Sequence, residues 1–307
     1  MLDKIVLVTR RTRLEELTVR FNTRAQARFY ITHAGGEFAD YEREDDAYRR
    51  ALEVVRRALE VGLPVQVVDR ALLPTLLFSA RELVVTLGQD GLVANTAKYV
   101  GTQPIVGVNP DPERFDGILL PFLPAAARGA VERTLAGAHR VREVTLAEAR
   151  LSDGQRLLAF NDLYLGSRTH VSARYRLTFG ERSERQSSSG IVVSTGAGST
   201  GWMSSIFNMA AGVAALLGVP GRGAPVQLGW EDRRLLFVVR EPYRSRHSEA
   251  GLVAGLVGAG ERLRVESAMP ADGVVFSDGM EADALRFESG ATAEIGAAEQ
   301  RAQLVLA

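Results

Sequence analysis

The feature that most constrains the fold is the alternation of short apolar runs with helical segments in the first half of the chain. The runs are KIVLVT from Lys4, PVQVVD from Pro64, ELVVTLG from Glu82 and PIVGVN from Pro104. Apolar runs of this length, bounded by turn residues, predict strands. Strands that alternate with helices predict a parallel sheet with helices on its faces.

The longest helix of this half is predicted from Asp45 to Val61. Its apolar side chains recur at helical spacing, at Tyr48, Leu52, Val55 and Leu59. Gly62 and Pro64 end it. A second helix is predicted from about Leu92, directly after the strand ELVVTLG and its turn. Ligands of such sheets lie beyond the carboxyl ends of the strands, which is where this turn lies.

The second half has a different rhythm, which begins after the Pro/Ala/Gly-rich patch of residues 121–130. Short strands with turn signals dominate, such as VSARYRLTFG, IVVST, RLLFVVRE, ERLRVES and GVVFSDG. One helix is predicted from Ser199 to Leu217, with Trp202, Ile206, Val213 and Leu217 as core positions. The prediction is an α/β domain with a Rossmann-like parallel sheet over residues 1–123, followed by a mostly β domain over residues 124–307.

Composition excludes several classes of function. The 307 residues carry 37 basic and 37 acidic side chains, so net charge favours neither nucleic acid nor anionic membrane as a partner. The basic residues are arginines except for Lys4 and Lys98, a bias that fits genomic composition first and phosphate recognition second. The absence of cysteine excludes disulfides, thiolate nucleophiles and cysteine-bound metals. The apolar stretches are too short for a signal peptide or a membrane span, so we expect a cytoplasmic protein.

The turn Gly88-Gln89-Asp90-Gly91 is the first candidate for chemistry. Glycines let the backbone approach a ligand, and the start of a helix favours anionic groups. A carboxylate at this place could accept a hydroxyl proton or hold Mg²⁺ through water. The alternative is an ordinary turn in which Asp90 caps the following helix, and spacing alone favours that alternative.

The stretch STGAGSTGW, from Ser194 to Trp202, is the second candidate. Its G-x-G-x-x-G pattern follows a strand and opens a helix, as a Rossmann turn does. The stretch lies in the β-rich half rather than in a βαβ unit, so an anion- or ribose-binding turn at a helix start fits better. A glycine-rich connector without a ligand is equally compatible.

Two dipeptides, each with one aspartate, complete the set of candidates. Asn161-Asp162 follows the apolar run LLAF, where a polar pair is costly to bury without partners; a strand-end turn is the alternative. Asp278-Gly279 is foremost a hairpin signal. The chain has no P-loop and no G-x-S-x-G motif, and its four histidines have no metal-ligand spacing.

Taken in order, these motifs resemble those of the NAD kinase family. That family has a Gly-Gly-Asp-Gly turn, an Asn-Glu pair, a Thr-Gly-Ser-Thr-Ala-Tyr-like turn and a late Asp-Gly. The stretch VGVNPDPERFDGILLP, from Val106 to Pro121, and Trp202 resemble its mitochondrial-type branch. The resemblance covers nearly the whole chain.

The resemblance implies a kinase that transfers a phosphoryl group from ATP, or from polyphosphate, to the 2′-hydroxyl of the adenosine ribose of NAD. It implies that Asp90 is the catalytic residue and that Mg²⁺ binds through the phosphates rather than in a protein-built metal site. It also implies a homo-oligomer, taken as a dimer, and a last segment that packs back on the first domain. The implied nucleotide-binding residues are Gly88, Gln89, Gly91, Asn161, Asp162, Ser199, Thr200, Gly201, Trp202 and Asp278.

Three departures from the family pattern bear on activity. Gln89 replaces a glycine where the backbone approaches phosphate, Leu92 replaces a threonine, and Asp162 replaces a glutamate. A related kinase that acts on a sugar or lipid hydroxyl therefore stays an alternative. So does a nucleotide-binding protein without turnover, although such a protein would have no need of Asp90.

Overall fold

The computed structural model describes residues 2–219 and 226–307. These residues form two compact units, Met1–Arg142 with Gln303–Ala307, and Glu143–Ala302. The sequence-based division after residue 123 stays a prediction. Across the described residues, no helix is both long and apolar enough to span a bilayer.

The first unit has the α/β architecture that the alternating runs predict. Its elements are β1 (Lys4–Thr9), α1 (Arg13–Phe21), α2 (Arg24–His33), α3 (Phe38–Ala58), β2 (Val65–Asp69), β3 (Glu82–Leu87), α4 (Asp90–Ala97), β4 (Pro104–Val108) and α5 (Ala127–Leu135). The strands run parallel in the order β2-β1-β3-β4. Gln303 and Leu304, near the end of the chain, add a parallel pairing to β4. The predicted parallel sheet is confirmed.

The core of the first unit lies between this sheet and helices α3 and α5. Tyr48 and Val55 of α3 and Leu59, its C-cap residue, are buried, as their helical spacing predicts. They pack against sheet residues that include Ile5, Leu7, Leu83, Val85, Val106 and Val108. Helix α3 begins at Phe38 rather than at Asp45. The sequence prediction was wrong because the acidic residues near Asp45 resemble the first turn of a helix, whereas they lie inside this one.

Helices α1 and α2 were not predicted. A threonine caps the start of each helix. Thr12 and Glu15 form a capping box at α1, and the Thr23 hydroxyl accepts the N–H of Gln26 at the start of α2.

The second unit is built from two antiparallel sheets, as the short strands of the second half predict. The first contains β5 (Val141–Leu151), β6 (Arg156–Ala159), β8 (Ala173–Phe179), β9 (Arg182–Ser188), β13 (Leu263–Ser267) and β16 (Thr292–Val305). The second contains β7 (Asp162–Ser167), β10 (Ile191–Ser194), β11 (Leu235–Val239), β12 (Ala254–Val257), β14 (Gly273–Ser277) and β15 (Met280–Arg286). Side chains of both sheets share one core, which includes Leu163, Leu177, Val193, Phe237, Val265 and Phe287.

The helix of the second unit is shorter than predicted and less buried. It is α6 (Trp202–Leu216), and a single 3₁₀ turn over Gly198–Thr200 precedes it. Met203 and Ile206 in its first turns are buried, but Val213 and Leu217 are 51% and 72% exposed. The last two predicted core positions are therefore wrong. Helical periodicity identifies an apolar helix, but it does not show how much of that helix contacts the sheet.

A buried polar network joins α3 to the ends of β1 and β3 in the first unit. The Tyr48 hydroxyl accepts the backbone N–H of Arg10 at 3.0 Å and donates to the carbonyl oxygen of Leu87 at 3.1 Å. The guanidinium of Arg10 pairs with Glu44 at 2.9 Å, and Arg13 pairs with the other oxygen of that carboxylate. Burial opposes ionisation of Glu44, but hydrogen bonds from the two arginines hold its pKa below the usual value.

Removal of the Tyr48 hydroxyl is expected to destabilise the protein. In Tyr48→Phe the N–H of Arg10 loses its buried acceptor, which costs about 1–3 kcal/mol of unfolding free energy. The matched control is Tyr41→Phe, the same change on the same helix, because no described residue hydrogen-bonds the Tyr41 hydroxyl. Urea unfolding of the three proteins checks this, and equal midpoints for the two variants would contradict it.

Candidate functional site

The turn Gly88–Gly91 joins β3 to α4 in the first unit. Helix α4 begins at Asp90, and its N-cap is Gln89, whose side chain makes no capping hydrogen bond. The alternative in which Asp90 caps the helix is therefore wrong, because the cap lies one residue earlier. A Cβ at Gly88 would lie 2.7 Å from Leu92 Cδ2, whereas nothing lies within 4 Å of the corresponding position at Gly91. Leu92, itself 1% exposed, thus packs directly over Gly88.

The carboxylate of Asp90 is held by the loop that follows β4. Its Oδ1 accepts the backbone N–H of Leu119 at 2.6 Å. Across the described residues, no protein group donates to Oδ2. One oxygen of the carboxylate is therefore fixed, and the other is available to a ligand.

The loop owes its shape to Asn109 and Gly117. The Asn109 amide donates to the carbonyl of Phe115 at 2.9 Å, and its oxygen accepts the N–H of Asp111 at 3.0 Å. Gly117 has a φ of +66°, and a Cβ there would lie 2.5 Å from Asn109 Nδ2. The VNPDPERFDG stretch thus builds a tight loop that presents the Leu119 N–H.

In the second unit, Asp278 organises the turn between β6 and β7. Its carboxylate accepts three backbone N–H groups, from Phe160 at 2.9 Å, Asn161 at 2.6 Å and Asp162 at 3.2 Å. Asp278 and Gly279 both have positive φ in the two-residue turn between β14 and β15, so the hairpin interpretation is confirmed. One aspartate therefore forms the hairpin and orders the Asn161-Asp162 pair.

Asp162 is the titratable group with the most altered environment in this cluster. Its side chain is buried, and Oδ1 has no hydrogen-bond partner. Burial raises the pKa of Asp162 to about 7; the Ser194 hydroxyl lowers it and the charge of Asp278 raises it further. Near neutral pH a large share of this carboxyl is protonated, so it can donate a hydrogen bond as well as accept one.

The stretch from Ser194 to Trp202 packs against that same turn. The Thr195 hydroxyl donates to the carbonyl of Phe160 at 2.6 Å, and a Cβ at Gly198 would collide with the carbonyl of Asn161. Strand β10, which leads into this stretch, runs antiparallel to both of its neighbours. The G-x-G-x-x-G pattern is therefore not a Rossmann turn, because a Rossmann turn follows a parallel strand.

The predicted residues of this stretch have different environments. The Ser199 hydroxyl donates to the carbonyl of Gly196 at 2.7 Å and is buried, whereas Thr200 and Gly201 are exposed. Trp202 stacks on Tyr164 with 5.8 Å between ring centroids and 16° between planes. The structure thus groups Asn161, Asp162, Asp278 and the Ser194–Trp202 stretch in the second unit, while Gly88–Gly91 belong to the first.

Sequence reasoning missed an aromatic cavity next to this cluster. The cavity has a volume of about 170 Å³ and is lined by Tyr164, Trp202, Phe276 and Arg240, among others. Phe276 stacks on Tyr164 at 4.8 Å, and the Arg240 guanidinium lies 5.5 Å from the Trp202 ring centre. The available signal was strand alternation, which places Tyr164 on the same face of β7 as Asp162.

No protein-family model matches the chain. The chain is 28% identical to a probable NADH kinase of Oryza sativa subsp. japonica over 222 residues, which is 64% of this chain and 63% of that protein. It is 27% identical to an NAD kinase of Chlorobium phaeobacteroides (strain BS1) over 126 residues, 39% of this chain and 43% of that protein. The chain thus spans less than two thirds of either curated relative.

Solved structures agree with these matches. A yeast NADH kinase complexed with NADH superposes with a TM-score of 0.58 at 15% identity, covering 100% of this chain and 84% of that chain. An NAD kinase from Archaeoglobus fulgidus in complex with ATP gives 0.54 at 16% identity, covering 98% and 92%. The fold is that of the NAD kinases. The chain is thus similar to NAD and NADH kinases in sequence over part of its length and to solved kinases of that kind in fold.

The geometry of the loop over Asp90 predicts a stability difference between two glycines. Gly117 and Gly137 have similar φ values, +66° and +71°, but only Gly117 has close neighbours where a Cβ would lie. Alanine at either position is expected to cost about 1 kcal/mol for the backbone conformation, and Gly117→Ala about 1–3 kcal/mol more for the collision with Asn109. Denaturant unfolding measures the free energy of unfolding of both variants. An equal loss in the two would show that the loop around Gly117 rearranges to accept the Cβ without an energetic cost.

The raised pKa of Asp162 predicts a pH-dependent stability. A carboxyl that is easier to protonate in the folded state stabilises most fully below its unfolded pKa and loses that contribution as pH rises to its folded pKa. We expect the unfolding free energy to fall by up to about 4 kcal/mol between pH 4 and 7 because of this group. Asp162→Asn removes that fall. The control Asp153→Asn should retain the fall in unfolding free energy, because hydrogen bonds from Gln155 lower the pKa of that exposed carboxyl. Parallel curves of unfolding free energy against pH for the wild type and Asp162→Asn would refute the prediction.

Proposed function

We propose that the protein is a kinase that transfers a phosphoryl group from ATP, or from polyphosphate, to the 2′-hydroxyl of the adenosine ribose of NAD, giving NADP. The observation that carries the proposal is Asp90, with one oxygen anchored by the Leu119 N–H and the other without a protein donor. The names of the relatives, NAD kinase and NADH kinase, give the substrate class.

The proposed chemistry begins at Oδ2 of Asp90, which accepts the proton of the attacking hydroxyl. Because Oδ1 is fixed by a backbone N–H, the carboxylate does not have to be ordered when the substrate arrives. Phosphoryl transfer needs positioning and charge stabilisation more than covalent help, and one well-placed carboxylate meets the proton demand. The uncapped first turn of α4, from Gln89 to Gly91, offers backbone N–H groups to phosphate oxygens.

The two substitutions in the signature turn fit this role in different ways. Leu92 has no hydroxyl with which to hold the turn by a hydrogen bond. It packs over Gly88 instead, and we infer that this contact keeps the shape of the turn. Gln89 is partly exposed and makes no capping bond, so its amide can donate to a phosphate oxygen. Gly91 has open space around it, which suits the close approach of a ligand.

Nucleotide recognition is assigned to the cluster of the second unit. Oδ1 of Asp162 has no hydrogen-bond partner among the described residues, so this oxygen and the neighbouring, partly exposed Asn161 amide can bind hydroxyl or base groups. Asp278 acts through them by fixing their backbone. Ser199 and Thr200 flank the nucleotide, Gly201 allows the backbone to approach it, and Trp202 offers an aromatic face.

Magnesium is proposed to bind through the phosphates. Across the described residues, no group of three or more His, Asp or Glu side chains is placed to hold a metal ion. Oδ2 of Asp90 is a hard oxygen donor of the kind Mg²⁺ prefers, directly or through water. The ion would neutralise phosphate charge. A homodimer and a cytoplasmic location also stay proposals, and they rest on the resemblance and on composition.

The decisive experiment is NADP formation from NAD and Mg·ATP, read through a coupled NADP-dependent dehydrogenase. Asp90→Asn is expected to lower kcat by about 10²–10⁴-fold, because an amide oxygen still accepts the Leu119 N–H but cannot take a proton. The matched control is Asp116→Asn, an exposed aspartate of the same loop, which should leave kcat unchanged.

Each other outcome selects an alternative. Equal kcat in wild type and Asp90→Asn would show that Asp90 is not the base. No NADP from the wild-type protein, with NAD still bound in a thermal-shift assay, would overturn the NAD kinase assignment. A sugar or lipid hydroxyl would then be tested as acceptor, and failure of both would indicate a binding protein without turnover.

A further inference from the structure

Three arginines lie side by side on the outer face of the first sheet of the second unit. Arg176 on β8 is directly opposite Arg185 on β9, and Arg174, two residues before Arg176, is opposite Ser187. Tyr175, between the two β8 arginines, points into the core and is buried. Alternation therefore places all three guanidinium groups on the same, outward side.

This arrangement is electrostatically unfavourable as it stands. Opposed residues of antiparallel strands have Cβ atoms about 5 Å apart, and like charges at that spacing destabilise a sheet. Among the described residues, the one acid paired with the row is Glu266 of β13, 3.9 Å from Arg176 and shared with Arg264 at 3.1 Å. No described residue forms an ion pair or side-chain hydrogen bond with Arg174 or Arg185.

A loop converts this face into a cavity. Residues 243–249 are tied along the edge strand β9, because the N–H of Tyr243 donates to Ser187 O and that of Glu249 to Arg185 O, both at 2.8 Å. Ser248 closes the loop through its hydroxyl, which donates to Tyr243 O at 2.6 Å. The cavity measures about 710 Å³, and its lining adds the polar side chains of Tyr243, Ser245 and His247 to the arginines.

We infer that this cavity binds an anion with several linked phosphate groups. Guanidinium forks match phosphate oxygens, and hydroxyl groups supply further donors. A multiply charged ligand suits this row, because Arg174 and Arg185 have no acidic partner among the described residues and Arg176 shares Glu266 with Arg264. Its binding would offset the repulsion among the three arginines. The cavity shares no lining residue with Asn161, Asp162, Asp278 or Trp202, and it lies on the other sheet. The inference therefore does not rest on the proposed function.

The test is calorimetric titration of the full chain with inorganic tripolyphosphate. Arg185→Gln is expected to weaken the binding of tripolyphosphate to this cavity at least about tenfold, which is the usual effect of a lost charge-assisted hydrogen bond. The control Arg286→Gln removes the same charge from a residue of the same unit that is 79% exposed and outside the cavity, and it should bind as wild type does. Equal affinity in all three proteins, or equal weakening in both variants, would overturn the inference.

Melting temperatures show whether the three arginines bind a ligand or only contribute to the stability of the sheet. At low salt and without ligand, Arg185→Gln should raise the Tm, because it relieves the opposition to Arg176. With tripolyphosphate, the Tm should rise less in Arg185→Gln than in the wild type, because the variant loses the contribution of this cavity. A lower Tm for the ligand-free variant, together with an unchanged ligand response, would contradict the inference. Arg174→Lys keeps the charge but loses the fork, and it should show weakened binding in a folded protein.

The remaining arms identify the source of the phosphates. If Arg185→Gln loses the same affinity for tripolyphosphate as for ATP, the cavity recognises the phosphate chain alone. An Arg185-dependent preference for ATP indicates a nucleotide. A single-stranded oligonucleotide that binds more tightly than either would overturn the inference in favour of a nucleic-acid surface. Asp90→Asn should retain the Arg185-dependent binding even if no NADP is ever formed, so failure of one proposal is distinguishable from failure of the other.

Discussion

The hydrogen bond from the Leu119 N–H to Asp90 is the contact on which the catalytic proposal depends. An aspartate at the first position of a helix would ordinarily turn towards the free N–H groups of its own first turn. Here the loop after β4 holds one of its oxygens instead, at 2.6 Å. That loop in turn requires the amide of Asn109 and the left-handed conformation of Gly117. The direction of one carboxylate is thus fixed by residues up to 29 positions away along the chain.

The second unit uses the same physical device in a different fold. Backbone N–H groups again hold an aspartate, Asp278, and they order the neighbouring Asn161-Asp162 pair. The cost appears at Asp162, which is buried beside Asp278 with one oxygen unpartnered. A buried polar atom without a partner is costly unless a ligand supplies one. The energetic cost of this unpaired oxygen and the proposed capacity of the site to bind a ligand therefore have the same cause.

The sequence revealed those parts of the fold that depend on local pattern. Short, mostly apolar runs identified β1 to β4. The hairpin at Asp278-Gly279 was visible because such turns need two residues of positive φ. The start of α3 and the exposure of Val213 and Leu217 were missed, because they depend on contacts that periodicity does not encode. The role of Tyr48 was invisible for the same reason: its partners, Arg10 and Leu87, are 38 and 39 residues away.

The candidate site was recognised from the order of short motifs, but their physical roles came from the structure. Spacing alone favoured Asp90 as a helix cap, yet the cap is Gln89, which makes no side-chain bond to the helix. That difference matters chemically, since an uncapped first turn keeps its N–H groups for an anion whereas a capping carboxylate would occupy them. Leu92 packs over Gly88 at the position where the resemblance predicts a threonine. The two departures from the motif therefore leave in place both features on which the catalytic proposal depends: a carboxylate oxygen without a protein donor among the described residues, and a first helical turn without a side-chain cap.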